Sequence, residues 1–106
     1  MQSQQHLKPS LSPFINKDTN TIELHIENAY ATQVYVAGTF NHWAHDQLPM
    51  HVDKDGVWTL ELPMLPPGKY GYKFLIDGKM WVEDYENQYH EPDGVSGFNS
   101  ILIIEN

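Results

Sequence analysis

An all-β, antiparallel β-sandwich is the fold class this sequence predicts, and three observations carry it. Short apolar runs alternate with polar residues at the two-residue period of a half-buried strand. They recur at a spacing of about 8–12 residues, separated by glycine- and proline-containing breaks. No stretch keeps an apolar helical period over the length of an ordinary helix. At 106 residues the chain has the size of one domain with one core.

Residues 1–19 carry glutamines, serines, Pro9, Pro13 and the turn-prone run Asn16-Lys17-Asp18-Thr19-Asn20. They read as a flexible N-terminal arm ahead of a module over 20–106, with Phe14 and Ile15 as the two residues able to dock. Ile22, Leu24 and Ile26 alternate with Glu23, His25 and Glu27, which predicts the first strand. Asn28 to Thr32 then turns toward a second strand at 33–37. Gly38-Thr39-Phe40-Asn41-His42-Trp43 leaves that strand, and the polar loop 44–55, closed by Asp55-Gly56, presents Trp43.

Val57 to Leu62 predicts a third strand with Trp58, Leu60 and Leu62 on its core face. Pro63, Pro66, Pro67 and Gly68 interrupt the pattern, since proline cannot donate to a ladder. Tyr70, Tyr72, Phe74 and Ile76 then line one face of the next strand, opposite Lys69, Gly71, Lys73 and Leu75. Asp77-Gly78 supplies the reversal, and the returning strand delivers Trp81. Register decides its direction. A two-residue turn pairs Phe74 with Trp81 and sends the indole into the core, whereas a three-residue loop at Asp77-Gly78-Lys79 pairs Leu75 with Trp81 on the face of Lys73. The second is expected, because the core layer is already bulky and a buried indole N–H needs a partner. Residues 83–96 read as a polar loop, and 99–105 as a last strand whose run Ile101-Leu102-Ile103-Ile104 suits neighbours on both faces.

Composition narrows the function. A formal charge of −8 repels phosphate backbones and anionic lipid, so neither nucleic acid nor a membrane is an expected partner. Met1 to Ser12 lacks the apolar run of a secretory signal, and no stretch approaches the ~18 apolar residues of a membrane span. With no cysteine there is no disulfide, thiolate nucleophile or thiolate metal site, and the expected location is the cytoplasm. His42, His45, Asp46 and His51 match no metal spacing, so no metal or cofactor is expected. Gly-x-Ser-x-Gly and phosphate-loop motifs are absent, and a glycosidase pair needs carboxylates about 5–10 Å apart across a cleft, which a domain this small hardly offers. The chain reads as non-catalytic.

The series 34–43, Asp55-Gly56-Val57-Trp58, 67–78, Trp81 and Phe98-Asn99 resembles the family 48 carbohydrate-binding modules. That family includes the glycogen-binding domain of the AMP-activated kinase β-subunit and the N-terminal early-set domain of branching and debranching enzymes. The resemblance runs colinearly over roughly 20–105 and implies an immunoglobulin-like early-set sandwich that binds α-glucan. By motif, the family's sugar-holding positions fall on Trp43, Lys73, Trp81 and Asn99. Val95 and Gly97 stand where the kinase-type binding loop has a leucine and a threonine. Two residues, Lys79 and Met80, separate Asp-Gly from Trp81 where kinase-type modules have one, and Asp84-Tyr85 replaces a common Asp-Pro. Such a set suits a neutral sugar, whose C–H faces pack on indoles while an ammonium and an amide bond its hydroxyls. The other expectation is a regulatory domain that docks on a glucan-metabolising enzyme or a kinase through its last apolar strand and its arm.

Overall fold

The alternations read from the sequence stack as two antiparallel sheets in the computed structural model, which describes residues 11–106. Its strands are β1 (Phe14–Asn16), β2 (Thr21–Glu27), β3 (Val34–Gly38), β4 (His51–Val52), β5 (Val57–Pro63), β6 (Gly68–Ile76), β7 (Met80–Val82), β8 (His90–Pro92) and β9 (Phe98–Ile104). One sheet has the order β1-β2-β5-β4; the other has β3-β6-β9-β8, with β7 also paired to β6. A 3-10 turn at Thr39–Asn41 is the one helical element among the described residues.

Parity places the core. Ile22 and Leu24 of β2 face Leu62 and Leu60 of β5, and Trp58 lies opposite Ile26. Tyr72, Phe74 and Ile76 of β6, Val34 and Val36 of β3, and Leu102 and Ile104 of β9 close over them from the second sheet. Each large apolar side chain so buried contributes about 1.5–3 kcal/mol toward the entropy lost on ordering. The Trp58 indole remains hydrogen-bonded inside, donating from Nε1 to the Asn28 carbonyl at 2.9 Å.

Two expectations are corrected. Residues 1–10 of the predicted arm lie outside the described residues, but 11–19 is no loose segment. Phe14, Ile15 and Asn16 pair with Glu23, Ile22 and Thr21, and the buried Ser12 accepts the His25 N–H at 3.0 Å. A three-residue strand is too short to show a period, which is why its turn-rich flank hid it. Asn16 Oδ1 shapes that flank by accepting the N–H groups of Asp18 and Thr19.

The polar loop predicted at 83–96 is also more than a loop. It contains β8, and it buries Asp84 and Asn87. Asp84 Oδ2 accepts from Ser12 Oγ at 2.5 Å and from the Tyr72 hydroxyl at 2.7 Å, while its own N–H donates to Ser100 Oγ at 2.8 Å. Asn87 Nδ2 donates to the Tyr72 hydroxyl and to the Ile101 carbonyl, at 3.1 and 2.8 Å. Burial raises the Asp84 carboxyl above the ordinary aspartate value, with the Ser12 and Tyr72 hydroxyls pulling the other way. Burial, reinforced by Asp84, pushes the Tyr72 phenol well above its usual range, so it stays a donor. Tyr72 and Ser100 adjoin Lys73 and Asn99 in sequence, so this interior network pins β6 and β9 where they carry candidate site residues.

Candidate functional site

The hairpin between β6 and β7 sets the first wall of the site. Asp77 and Gly78 adopt left-handed φ values of 53° and 69°, and the Lys79 N–H closes on the Ile76 carbonyl at 2.9 Å. Ile76 pairs with Met80, Leu75 with Trp81 and Phe74 with Val82. The reversal is therefore the three-residue loop Asp77-Gly78-Lys79, and the extra residue relative to kinase-type spacing is taken up in the turn. Trp81 consequently shares the outward face of Lys73 and is 40% exposed. The tip is anchored by Asp77 Oδ1, which accepts from the N–H groups of Gln33 and Thr32 and from the Thr32 hydroxyl at 2.8–3.0 Å. Those bonds hold the Asp77 carboxyl below the ordinary aspartate value. Leu75, read as outward-facing, is buried nonetheless, because Tyr35 and Trp81 flank it across the sheet.

Trp43 arrives on an unusual backbone. After the 3-10 turn, His42 and Trp43 both lie in the left-handed region at φ 57° and 59°, a conformation that costs a non-glycine residue about 1–3 kcal/mol. The Trp43 N–H returns to the Gly38 carbonyl at 2.8 Å, and Asn41 Oδ1 accepts the Gly38 N–H at 2.9 Å. Gly38 is required there: a Cβ would lie 2.6 Å from the Gly71 carbonyl oxygen and 2.7 Å from the Phe40 ring. The loop so folded brings the His45 ring edge-on to Trp81, with centroids 5.1 Å apart and planes at 80°.

These elements enclose an open cleft of about 310 Å³ lined by Trp43, Lys73, Trp81, Asp93, Val95 and Asn99. Five of the six predicted residues thus line one concavity. Gly97, the sixth, is outside that lining but close to two of its residues; a Cβ there would come within 3.3 Å of Asp93 Oδ2 and 3.9 Å of Lys73 Nζ. Asn99 folds its amide over Gly71, whose missing side chain leaves the room.

Asp93 was not singled out in the sequence. Its Oδ2 accepts from Lys73 Nζ at 2.8 Å, and its Oδ1 accepts the N–H groups of Val95, Ser96 and Gly97 at 2.8, 3.2 and 3.2 Å. Lys73 first, and then those N–H groups, hold its carboxyl far below the ordinary aspartate range. Pro92-Asp93-Gly94 was the available signal, since an aspartate before glycine commonly closes a turn on its own backbone. His45 left no comparable trace. Its contact with Trp81 joins the loop after the 3-10 turn to strand β7.

The aromatic walls offer flat apolar faces, and Lys73, Asp93 and Asn99 offer a charged donor, a charged acceptor and an amide. Among the described residues no three metal-ligating side chains come together. A larger hollow of about 880 Å³ lies at 14–20, 64–67 and 103–106, where Phe14, Ile15, Met64, Leu65, Ile103 and Ile104 supply an apolar part of the lining. It holds none of the predicted site residues, and Asn16, Lys17, Asp18, Asn20 and Glu105 stand beside its apolar side chains.

A two-sheet sandwich with an open, indole-edged cleft on the outside of one sheet defines a small β-sandwich recognition domain. The model of the family described as the glycogen recognition site of AMP-activated protein kinase matches residues 21–106. The chain belongs to that family. No curated protein matches the sequence.

Proposed function

We propose that this domain is a non-catalytic, cytoplasmic module that binds α-glucan, glycogen or starch-like, on the platform formed by Trp43 and Trp81. In this reading the two indoles pack against the C–H faces of glucose rings, and Lys73 and Asn99 bond the hydroxyl edges. Val95 and Gly97 belong to the loop that borders the sugar. The observation that carries the reading is the convergence of Trp43, Lys73, Trp81 and Asn99 on one open cleft, within a chain of the glycogen-recognition family. A shallow platform that orders a few rings should bind with a Kd of about micromolar to millimolar. Co-sedimentation with glycogen or amylose tests it: the unaltered protein should pellet with the polymer, and Trp43→Ala and Trp81→Ala should not. If either variant pellets undiminished, that indole is not part of the binding surface.

A second reading rests on the partly apolar hollow beside β1 and on the exposed Ile103 in its lining. Such a surface suits a protein partner, for instance a glucan-metabolising enzyme or a kinase, better than a sugar. Failure to bind any α-glucan, together with binding to such a partner that Ile103→Lys abolishes, would move the function there.

A further inference from the structure

Both lysines that β6 presents on the site's face are already matched by carboxylates. Lys73 Nζ lies 2.8 Å from Asp93 Oδ2, and Lys69 Nζ, four residues earlier on the same face, lies 2.6 Å from Glu91 Oε2. The two pairs differ in setting. Lys69 and Glu91 are well exposed, whereas the side chains of Lys73 and Asp93 are only 18% and 15% exposed, so the inner pair is the less solvated of the two. Three backbone N–H groups hold Asp93 Oδ1, so the carboxylate cannot swing away from the ammonium.

The charges lining the cleft therefore cancel: one lysine and one aspartate, with Trp43, Trp81, Val95 and Asn99 neutral. The surrounding chain adds repulsion for anions, at a formal charge of −8. Its six basic side chains are all lysine, so the planar guanidinium fork that best grips phosphate is missing from the sequence. A sugar hydroxyl can use this pair without loss, accepting from Lys73 and donating to Asp93. A phosphate cannot. It would find the ammonium's charge already matched by Asp93 and would lie against an ionised carboxylate.

We infer that the site, within the α-glucan reading on which this rests, selects uncharged glucan over phosphate-bearing glucan, and that Asp93 is the residue that sets the selectivity. The test is an NMR titration of the Trp43 and Trp81 indole N–H signals with maltoheptaose and with maltoheptaose phosphorylated at its 6-hydroxyls. The unaltered protein should bind the neutral sugar at least ~10-fold more tightly, a difference of ~1.4 kcal/mol. Asp93→Asn, which keeps an acceptor for the loop N–H groups but frees the Lys73 charge, should narrow the gap to roughly threefold or less. Should that variant fail to fold, salt decides on the unaltered protein: raising it from about 0.02 to about 0.5 M should shrink the preference by screening the repulsion. Equal affinities for the two sugars at low salt would overturn the inference and leave the glucan reading standing. So would a folded Asp93→Asn protein with the full preference intact, or, where that variant does not fold, a preference that salt leaves unchanged. Binding of neither sugar would remove the glucan reading itself, and this inference with it.

Discussion

Trp58 and Trp81 are the same residue type on strands of the same sandwich, yet one belongs to the interior and the other to the surface. Trp58 sits in β5 with strands on both sides, opposite Ile26 and Val52, at core parity and 5% exposed. Trp81 sits in a three-residue strand paired only to β6, at outward parity and 40% exposed, with His45 at its edge. Residue type did not decide between them; strand position and parity did. A tryptophan between two sheets adds its area to the core, while one on an outer edge offers the same area to a ligand.

The largest expected effect tests the interior half of that contrast. Trp58→Ala should cost about 3–5 kcal/mol in denaturant unfolding, through the cavity it leaves and the missing hydrogen bond to the Asn28 carbonyl. An equal cost from Trp81→Ala would break the comparison, since it would make both indoles structural. Gly38→Ala comes next, at about 1–3 kcal/mol, because its methyl must displace the Gly71 carbonyl or the Phe40 ring. It should also disturb the Trp43 indole N–H signal, as Gly38 accepts the Trp43 backbone N–H.

Trp81→Ala itself should change stability by only about 1 kcal/mol, since it uncovers part of Leu75 but leaves no core cavity, while glycogen co-sedimentation falls at least ~10-fold. Deleting Lys79 should do less still. The turn shortens to two residues and Leu75 still pairs with Trp81, so cross-strand NMR contacts between those two should persist. A switch to pairing with Phe74 would show that the three-residue turn is what keeps the indole outside.

The smallest effect separates the two regions by pH. Asp93 and Asp77 have lowered values, so the stability they contribute is present above the ordinary aspartate value of 3.8 and is lost as pH falls through their lower folded values. Asp84 has the opposite sign: its raised value favours the fold below 3.8, and that advantage fades as pH rises through the folded value. Acid should therefore loosen the loop at 93–97 and the hairpin tip before the core. Amide exchange at Val95 and Gly97 followed downward from about pH 6 checks this, and Asp93→Asn should flatten the response in that loop.

Much of this could be read along the chain. Alternation at 22–26, 57–62 and 70–76 located three strands with their core faces, and turn chemistry at Asp77-Gly78 located the hairpin. Parity along one strand is a local property, so Lys73 could be placed opposite Phe74 without any knowledge of the neighbours. The motif series then pointed to Trp43, Trp81 and Asn99 as residues of one surface.

What the tertiary structure alone decided is where partners come from far along the chain. Ser12 meets Asp84 across 72 positions, His45 meets Trp81 of β7 from a distant loop, and Asp93 reaches back 20 positions to Lys73. β1 exists because β2 offers it an edge, and Asp84 is buried because hydroxyls from two other segments satisfy it. An aspartate in a polar stretch has the same local pattern whether it ends in water or in a core. Alternation records which way a side chain points; only the folded chain brings up the donor that lets a charge remain buried, or the carboxylate that neutralises a lysine.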